Sequence, residues 1–518
     1  MEELLYQPKD AWVGDLIPYY DGGMFYAFYL HDPRKNPEEY AEETTWHLVK
    51  TKDFVNLEYK GEAIKRGGEK DPNYNIYTGS VIKDRDGIYH AFYTAYNSRV
   101  MINGKSIQSV MQATGLDPEH LETVEDFIFT ADGELYEEFD WRDPYVFWNE
   151  EESCYDMLLA ARIKGSGERR GGCVALCRSR DLMHWSYEKP FYAPGMYITM
   201  ECPEVFKMGK YWYLVFSTFS DRFATHYRIG RSLNGEWEIP EEDLFDTRAN
   251  YAIKTASDGK KRYAFGWIAS KYENRDFGPW EWGGTMAFHE LIQDPTTGRL
   301  GTKMIKGIQE SFQHEEKDLQ IKSYQGEIRQ EQDGICLAGR TLGAAMYPLS
   351  SECFLAEFDV EVRKASEFGI LVHADEMMEK GYFLRMDPQK GTAAWDMWPR
   401  SEKGFYQWQI KGDVPCQIET ERKIPHNDIY HIQLLKYKDI CIVYINEETA
   451  LSWRMYDHKG GNIGVYVIQG EVKVKNFHLL KRYEEEKNEK ETCKYSIGTR
   501  NGDRFGGRMW LDERRKQC

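Results

Sequence analysis

An aromatic-rich, strand-like run recurs five times in the first 305 residues of this chain. The five copies are anchored on Phe25, Tyr89, Tyr155, Tyr211 and Tyr263, at spacings of 64, 66, 56 and 52 residues. Each copy interleaves Tyr, Phe, Trp and Val with polar residues, a pattern typical of β-strands. Self-similarity at a long period indicates a repeat architecture, and a unit of short strands of this length suits one propeller blade. We therefore predict an all-β fold that begins with a five-bladed β-propeller over residues 1–305.

Three acidic residues occupy matching places in this repeat. Asp15, Asp143 and Glu201 each lie ten to twelve residues before the aromatic anchor of their own copy. The innermost strands of propeller blades line one central channel, so residues at equivalent places face one another there. Two close carboxylates serve a retaining glycosidase as nucleophile and acid, and a third can hold sugar hydroxyls and stabilise the transition state. The three acids therefore predict a glycosidase site on the propeller axis.

The composition limits the partners of such a site. A net charge of −18 leaves no basic stripe to neutralise phosphates, which argues against nucleic acid as a partner. Aromatic residues make up 14% of the chain, and their faces suit the apolar faces of sugar rings, so we expect a small carbohydrate as the substrate. Ten cysteines and thirteen histidines show no metal-ligand spacing, so we expect neither a metal nor a cofactor.

The sequence also carries no signal for a membrane or for secretion. No stretch approaches the roughly 18 consecutive apolar residues that a membrane span requires. The first residues contain no basic region followed by an apolar run, which a secretory signal requires. We therefore expect no membrane association and a cytoplasmic location.

After Gly298 the aromatic repeat stops, and the rest of the chain divides into three parts. A mixed polar segment over residues 306–325 predicts a linker that includes a short helix. Short alternating strands over residues 326–482, with no helices between them, predict a C-terminal β-sandwich. We expect this domain to serve as a lid or as the surface of a homo-oligomer, rather than as an independent sugar-binding module. Residues 483–518 are rich in charge and predict a solvated tail or a short helix.

The segments around the three acids resemble the signature blocks of glycoside hydrolase family 32, the invertase, inulinase and levanase group. These blocks are Trp12-Val13-Gly14-Asp15, Trp141-Arg142-Asp143-Pro144 and Glu201-Cys202-Pro203. Weaker likenesses to the family occur in Thr45-Trp46-His47, Tyr77-Thr78-Gly79-Ser80, Gly266-Trp267-Ile268 and Trp282-Gly283-Gly284. The resemblance covers residues 6–482. It implies that Asp15 is the nucleophile, Glu201 the general acid/base and Asp143 the transition-state stabiliser of a β-fructosidase.

The first of these blocks departs from the family pattern. The family reads Asn-Asp-Pro-Asn-Gly, whereas this chain has Gly14-Asp15-Leu16-Ile17-Pro18. The amides that would hold fructose hydroxyls are therefore missing, and the recognition of the sugar is expected to rest on other side chains. The candidate substrate-binding residues are Trp12, Trp46, Tyr77, Thr78, Trp141, Arg142 and Trp267. The combined interpretation is a retaining hydrolase of β-fructofuranosides that prefers a short or unusual fructoside to sucrose.

Other functions fit the same residues. A fructosyltransferase, including one that forms or opens cyclic difructose anhydrides, would use the same three acids, because only the acceptor differs. Related five-bladed families act on arabinosides and xylosides, or use phosphate to cleave mannosides, and a phosphorylase would need a basic cluster at the channel mouth. The non-enzymatic alternative is a catalytically inactive sugar-binding propeller, against which the retention of all three acids argues.

Overall fold

The computed structural model describes residues 3–34, 41–101, 104, 107–167, 169–317, 319–399 and 421–482. These residues are almost entirely β-strand, with a single short α-helix, α1 (Lys306–Glu310), and one 3-10 turn at Tyr272–Asn274. The predicted all-β fold is therefore confirmed. Across these ranges, no helix has the length and the apolar character needed to cross a bilayer. The predicted charged tail, residues 483–518, lies outside the described residues.

Residues 12–303 form strands that follow one another in groups of four. The first two groups are β1 (Trp12–Asp21), β2 (Met24–Asp32), β3 (Thr45–Thr51), β4 (Glu58–Ile64), β5 (Asn75–Lys83), β6 (Tyr89–Tyr96), β7 (Ser109–Asp117) and β8 (His120–Phe129). The next two are β9 (Tyr136–Asn149), β10 (Cys154–Ile163), β11 (Gly172–Ser179), β12 (Ser186–Tyr187), β13 (Glu201–Met208), β14 (Tyr211–Thr218), β15 (Ala224–Gly230) and β16 (Trp237–Glu238). The last is β17 (Asn250–Ser257), β18 (Arg262–Lys271), β19 (Trp280–Gln293) and β20 (Leu300–Lys303).

Neighbouring groups are separate sheets except at one junction. In the described part of the chain, β5–β8, β9–β12 and β13–β16 are four-stranded sheets, whereas β1–β4 and β17–β20 share one eight-stranded sheet. The two groups join where Val13 of β1 pairs with Gly284 of β19. Because this junction merges two groups, the predicted count of five blades stays a prediction.

The first strand of each group carries a β-bulge at the same place. There, two residues of the first strand oppose a single residue of the second strand. The paired residues that flank the bulges are Val13 and Leu16 in β1, Ile76 and Gly79 in β5, Arg142 and Tyr145 in β9, Glu201 and Glu204 in β13, and Tyr251 and Lys254 in β17. A bulge interrupts the alternation of side chains and redirects them. The sequence repeat therefore corresponds to a repeated backbone distortion, and all three predicted acids lie in or beside it.

A second sheet contains most of the chain after α1. Its strands are β21 (Phe312–Glu315), β22 (Lys322–Gln325), β23 (Glu327–Glu331), β24 (Gly334–Pro348), β25 (Cys353–Lys364), β26 (Glu367–Ala374), β27 (Gly381–Asp387), β28 (Thr392–Trp398), β29 (Arg422–Lys423), β30 (Ile429–Tyr437), β31 (Ile440–Ile445), β32 (Thr449–Arg454) and β33 (Asn462–Arg482). The long β33 pairs with β21, β24, β25 and β26 and so connects the sheet.

The segment over residues 306–325, predicted as a linker, contains more structure than a connection. The expected short helix is α1, but β21 pairs with β33, and β22 pairs with β24. Backbone hydrogen bonds to strands far along the chain hold these two short strands, and local composition does not reveal such partners. Much of this segment thus belongs to the second sheet.

A shared hydrophobic core joins the two halves. Phe25 and Phe288 of the first half pack in one buried cluster with Leu355 of the second sheet. Arg454 at the end of β32 is buried, and its Nε donates to the carbonyl oxygen of Ala269 at 2.8 Å. Apolar packing and the hydrogen-bonded guanidinium of Arg454 therefore stabilise β18 from the side of the second sheet. This strand carries Trp267.

Candidate active site

The structure brings Asp15, Asp143 and Glu201 together around Cys202. The backbone N–H of Cys202 donates to Asp143 Oδ2 at 2.9 Å, and its Sγ lies 3.6 Å from Asp15 Oδ2. Glu201 is the preceding residue in the chain. Burial raises the pKa of the Cys202 thiol well above its ordinary value, and the charge of Asp15 adds to this effect, so the thiol stays protonated and can donate to Asp15. Acids from β1, β9 and β13 thus form one site.

Side-chain donors hold both carboxylate oxygens of Asp15. This residue lies in the bulge of β1 and is partly exposed. Thr78 Oγ1 donates to Oδ2 at 2.5 Å, and Trp267 Nε1 donates to Oδ1 at 2.8 Å. Burial, followed by the negative charge of Asp143, raises the pKa of Asp15 to about 6. Neutral donors therefore fix the orientation of the carboxylate, as a nucleophile requires.

Glu201 has a different set of partners. It begins β13, is partly exposed, and accepts a hydrogen bond from Tyr251 Oη at 2.7 Å and one from Arg142 Nη2 at 3.2 Å. Burial has the largest effect on the pKa of Glu201 and raises it. The positive charge of Arg142 lowers this pKa in part, and the negative charge of Asp143 raises it further. A carboxyl with a raised pKa holds its proton at higher pH, as a general acid requires.

Asp143 is the most deeply buried of the three acids. It is 3% exposed, and its φ of 58° places a non-glycine residue in the left-handed region. Such a conformation is uncommon and persists only where the surroundings impose it. Here the Asp143 N–H donates to Thr94 Oγ1 at 2.7 Å, and the carboxylate accepts the Cys202 N–H. The bulge of β9 therefore directs this carboxylate towards the other two acids.

Arg142 is the cation that contacts these acids. Its Nη2 lies 3.2 Å from Glu201 Oε1 and 3.1 Å from Thr199 Oγ1, and its Nε lies 3.9 Å from Asp143 Oδ2. Its Nη1 pairs with Asp140. Arg142, predicted to bind substrate, thus touches the acids themselves. Among the described residues, no three His, Cys, Asp or Glu side chains are placed to hold a metal ion.

Aromatic rings adjoin the two partly exposed acids in a continuous series. The donors Trp267 and Tyr251 lie edge to face, with ring centroids 5.7 Å apart. Phe223 stacks on Tyr251 at 4.3 Å, and Trp282 lies 6.0 Å from Trp267. These contacts fix the two buried rings that donate to the acids. The partly exposed rings of Phe223 and Trp282 provide the apolar surface that recognition of a sugar ring requires.

Two of the predicted substrate-binding residues, Trp12 and Tyr77, are half-buried. Trp12 Nε1 donates to Ser270 Oγ at 2.8 Å, and the Arg34 guanidinium lies 4.2 Å from the centroid of the Trp12 ring. Tyr77 Oη donates to the carbonyl oxygen of Ala41 at 3.2 Å. Both rings keep exposed surface and stay candidates for contact with a sugar.

Trp46 and Trp141 are predicted to bind substrate, but the structure buries both of them completely. Trp46 donates its indole N–H to the carbonyl oxygen of Tyr77 at 2.9 Å, and Trp141 packs against Phe129 and Tyr136. Large apolar rings gain most when neighbouring strands remove them from water entirely. Neither ring offers surface to a ligand, so both predictions are corrected: these are core residues that support the site from behind. Trp267 and Thr78, also predicted to bind substrate, are just as buried and donate to Asp15, so the prediction of direct substrate contact is corrected for them too.

Tyr251 is a site residue that the sequence interpretation missed. It lies twelve residues before the fifth aromatic anchor, Tyr263, just as Asp143 lies twelve residues before Tyr155. The distance to the anchor therefore indicates that residue 251 of the fifth copy is equivalent to Asp143 of the third, although residue 251 is not an acid. A phenol there donates to Glu201 instead of adding a fourth carboxylate to the site.

Gly14 occupies a position where no side chain fits. A Cβ atom built on it would lie 2.2 Å from Trp282 Cη2 and 3.0 Å from Leu30 Cβ. Real Cβ atoms do not approach other heavy atoms so closely, so the Trp282 ring fills the space that a side chain beside Asp15 would need. The unusual first sequence block is therefore coupled to the packing of an indole from β19.

Comparison with known proteins places the first half of the chain in a defined group. Residues 6–300 match the profile of the glycosyl hydrolases family 32 N-terminal domain. Sucrose-6-phosphate hydrolase of Escherichia coli is 26% identical over 220 residues, which cover 40% of this chain and 42% of that protein. Levanbiose-producing levanase of Bacillus subtilis (strain 168) is 24% identical over 296 residues, which cover 54% of this chain and 48% of that protein. The chain thus spans about half the length of the curated relatives it matches.

Solved structures share the fold over 93% of the chain. Sucrose-6-phosphate hydrolase from Lactobacillus gasseri has a TM-score of 0.71 at 14% sequence identity and covers 93% of each chain. Fructan 1-exohydrolase IIa from Cichorium intybus has a TM-score of 0.67 at 16% identity, over 93% of this chain and 98% of that one. At such identities the likeness shows the fold alone. These neighbours combine a β-propeller with a β-sandwich, in agreement with the predicted fold class.

Proposed function

Because this chain belongs to glycosyl hydrolase family 32, we propose that it is a retaining hydrolase of β-fructofuranosides with Asp15 as nucleophile and Glu201 as general acid/base. The observation that carries the proposal is the contrast between these two partly exposed carboxyls. Neutral donors hold both oxygens of Asp15, whereas Glu201 is held by a phenol and Arg142. The negative charge of buried Asp143 opposes the ionisation of the Asp15 and Glu201 carboxyls.

The first chemical step transfers the fructosyl group to the enzyme. Glu201 gives its proton to the glycosidic oxygen while an Asp15 oxygen attacks the anomeric carbon. The bond from this carbon to the leaving oxygen breaks with its electron pair, and an ester bond to Asp15 forms. Asp143 stabilises the positive charge that develops on the sugar ring between these events.

The second step releases fructose. Glu201, now ionised, accepts a proton from a water molecule as the water oxygen attacks the same carbon. The ester bond breaks and returns the electron pair to Asp15. Two displacements at one carbon restore its original configuration. Such a mechanism requires the two carboxyls to lie about 5–5.5 Å apart.

The repeated bulges support five blades for the propeller that carries this site. The bulged strands β1, β5, β9, β13 and β17 each begin a group of four strands. On this interpretation the eight-stranded sheet is two blades that meet at the Val13–Gly284 pair, where the ring closes.

Retention of configuration is the first testable consequence of the proposal. In a mixture of methanol and water, methanol competes with water for the fructosyl ester, so methyl β-fructofuranoside is expected beside free fructose. Product analysis by ¹³C NMR at early times distinguishes the two anomers of the methyl fructoside. A predominantly α-configured product would contradict the double displacement. A reaction without enzyme controls for chemical methanolysis.

Sucrose is expected to be a poor substrate, because the Trp282 ring leaves no room at position 14 for a side chain that would hold the fructosyl group. Discrimination then passes to the leaving group, where sucrose offers only one glucose ring. The loss of one buried hydrogen-bond partner commonly costs about 1–3 kcal/mol, or roughly a factor of 5–150. The measurement compares kcat/KM for sucrose, sucrose phosphate, inulin- and levan-type oligosaccharides and difructose anhydrides. Sucrose is expected at least about tenfold below the best of these substrates. Equal or better turnover of sucrose would contradict the expectation.

The ratio of free fructose to transfer products in the same reactions separates a hydrolase from a fructosyltransferase.

A further inference from the structure

Phe223 holds an unusual backbone conformation in the turn between β14 and β15. Its φ is 52°, in the left-handed region, and its ring is half-buried. A bulky aromatic residue adopts this conformation only where the surrounding structure imposes it. The turn therefore places this ring at a specific point beside the active site, at the expense of a strained backbone. Strain of this kind often marks a functional position.

Ion pairs with buried groups fix the turn. The Asp221 carboxylate lies 3.2 Å from Nε2 of His226, whose Nδ1 lies 2.8 Å from Asp243 Oδ2. Arg222 Nη2 pairs with Asp243 Oδ1 at 2.6 Å. His226 is fully buried in β15. The two residues before Phe223 are thus tied by their side chains to β15 and to Asp243.

The Phe223 ring is connected to Glu201 through Tyr251. Phe223 stacks on Tyr251 with centroids 4.3 Å apart and planes 22° apart, and Tyr251 donates to Glu201. In the proposed mechanism Glu201 protonates the leaving oxygen, so the leaving group lies next to this carboxyl and to the rings beyond it. The Arg248 guanidinium lies 5.8 Å from the Phe223 ring and 5.8 Å from the half-buried ring of Trp280.

From these contacts we propose that Phe223 is a specificity-determining residue that binds the leaving group, a second sugar ring whose C–H face stacks on its exposed part. This inference rests on the proposed function, because it names the leaving side of that same site. A sugar ring has an apolar face that suits a fixed aromatic ring, and hydroxyls at its edge that suit a guanidinium such as Arg248. Simple fructosides without a second ring would gain nothing from Phe223.

The test compares two substrates that differ only in the leaving group. Phe223→Ala is expected to lower kcat/KM by about tenfold, chiefly through KM, for the best oligosaccharide found above, whose leaving group is a sugar. The same variant is expected to keep kcat/KM for methyl β-fructofuranoside within about twofold, because methanol has no ring to stack. Phe223→Tyr keeps a stacking face and is expected to behave as the wild type with both substrates.

Phe219→Ala is the matched control, since Phe219 lies in the same turn, is 46% exposed, and is expected to change neither rate. Near-UV circular dichroism and Tm verify folding, and Phe223→Leu replaces the alanine variant if that one does not fold.

Equal losses of kcat/KM with both substrates would show that Phe223 acts only through Tyr251 and Glu201 and would overturn the inference. No loss with either substrate would also overturn it. A wild type that cleaves no fructoside would instead refute the proposed function, and the inference with it.

Discussion

Replacement of Asp15 with alanine is expected to lower kcat/KM for every fructoside by on the order of 10⁴- to 10⁶-fold. Without the carboxylate no fructosyl ester can form, and the hydroxyl of Thr78 and the indole N–H of Trp267 lose their acceptor. An activated aryl leaving group is not expected to restore turnover, because the missing group is the one that forms the new bond. Steady-state rates on the natural substrate and on an aryl fructoside measure both expectations.

Asp15→Asn separates loss of chemistry from loss of fold. The pKa of Asp15 is raised from 3.8 to about 6 in the folded protein, so above this pH the ionised carboxylate costs stability that a neutral amide does not. The amide oxygen can accept from Trp267 Nε1 and the amide N–H can donate to Thr78 Oγ1, so the Tm of Asp15→Asn at pH 7 is expected to equal or exceed that of the wild type. Below pH 3.8, where Asp15 is protonated in both states, this gain should vanish. An inactive variant with this Tm pattern supports the nucleophile, whereas near-native turnover by a folded variant would refute it.

Replacement of Glu201 with glutamine is expected to have an effect that depends on the leaving group. For a fructoside with a sugar leaving group, kcat/KM should fall by about 10²- to 10⁴-fold, because the amide cannot protonate the departing oxygen. For an aryl fructoside, whose phenolate leaves without a proton, formation of the fructosyl ester should be little affected, and an early burst of phenol reports it. Arg142 can still donate to the amide oxygen, and the amide N–H can donate to Tyr251 Oη at the other oxygen's place, so the variant should stay folded.

The pH dependence gives a second readout of the same residue. Burial raises the pKa of Glu201, so with a sugar leaving group the wild type is expected to lose activity on the alkaline side, where this acid loses its proton. Activity also falls as the pH drops through about 6, where Asp15 takes up a proton. The Glu201→Gln variant should keep only the acidic limb of the burst rate with the aryl substrate. Persistence of the alkaline limb would assign the general acid to another group.

The repeated aromatic strands and the three acids are visible in the sequence because both are local or periodic properties. Alternation of aromatic and polar residues reports which face of a strand is buried, wherever the strand lies in the fold. A repeat at matching distances from an anchor implies equivalent places, which is why Asp15, Asp143 and Glu201 could be grouped before any contact was known. The all-β class and the order of the two halves follow from the same kind of pattern.

The burial of each aromatic side chain was decided only by the tertiary structure. Trp46, Trp141 and Trp267 look alike in sequence, yet the first two are enclosed as core, and the third, equally buried, aims its N–H at Asp15. The partners that enclose them come from strands tens to hundreds of residues away, and local sequence carries no record of those neighbours. The same reason hid Tyr251, whose role depends on Glu201 in another group of strands.

The sequence by itself therefore determined the repeat, the strand chemistry and the identity of the acids. Tertiary structure decided which side chain donates to which oxygen, why a side chain at position 14 would collide with Trp282, and that Phe223 reaches Glu201 through Tyr251. The physical reason is that hydrophobic periodicity is encoded residue by residue, whereas hydrogen bonds, steric exclusion and pKa shifts arise from groups that only folding brings within a few ångströms of each other.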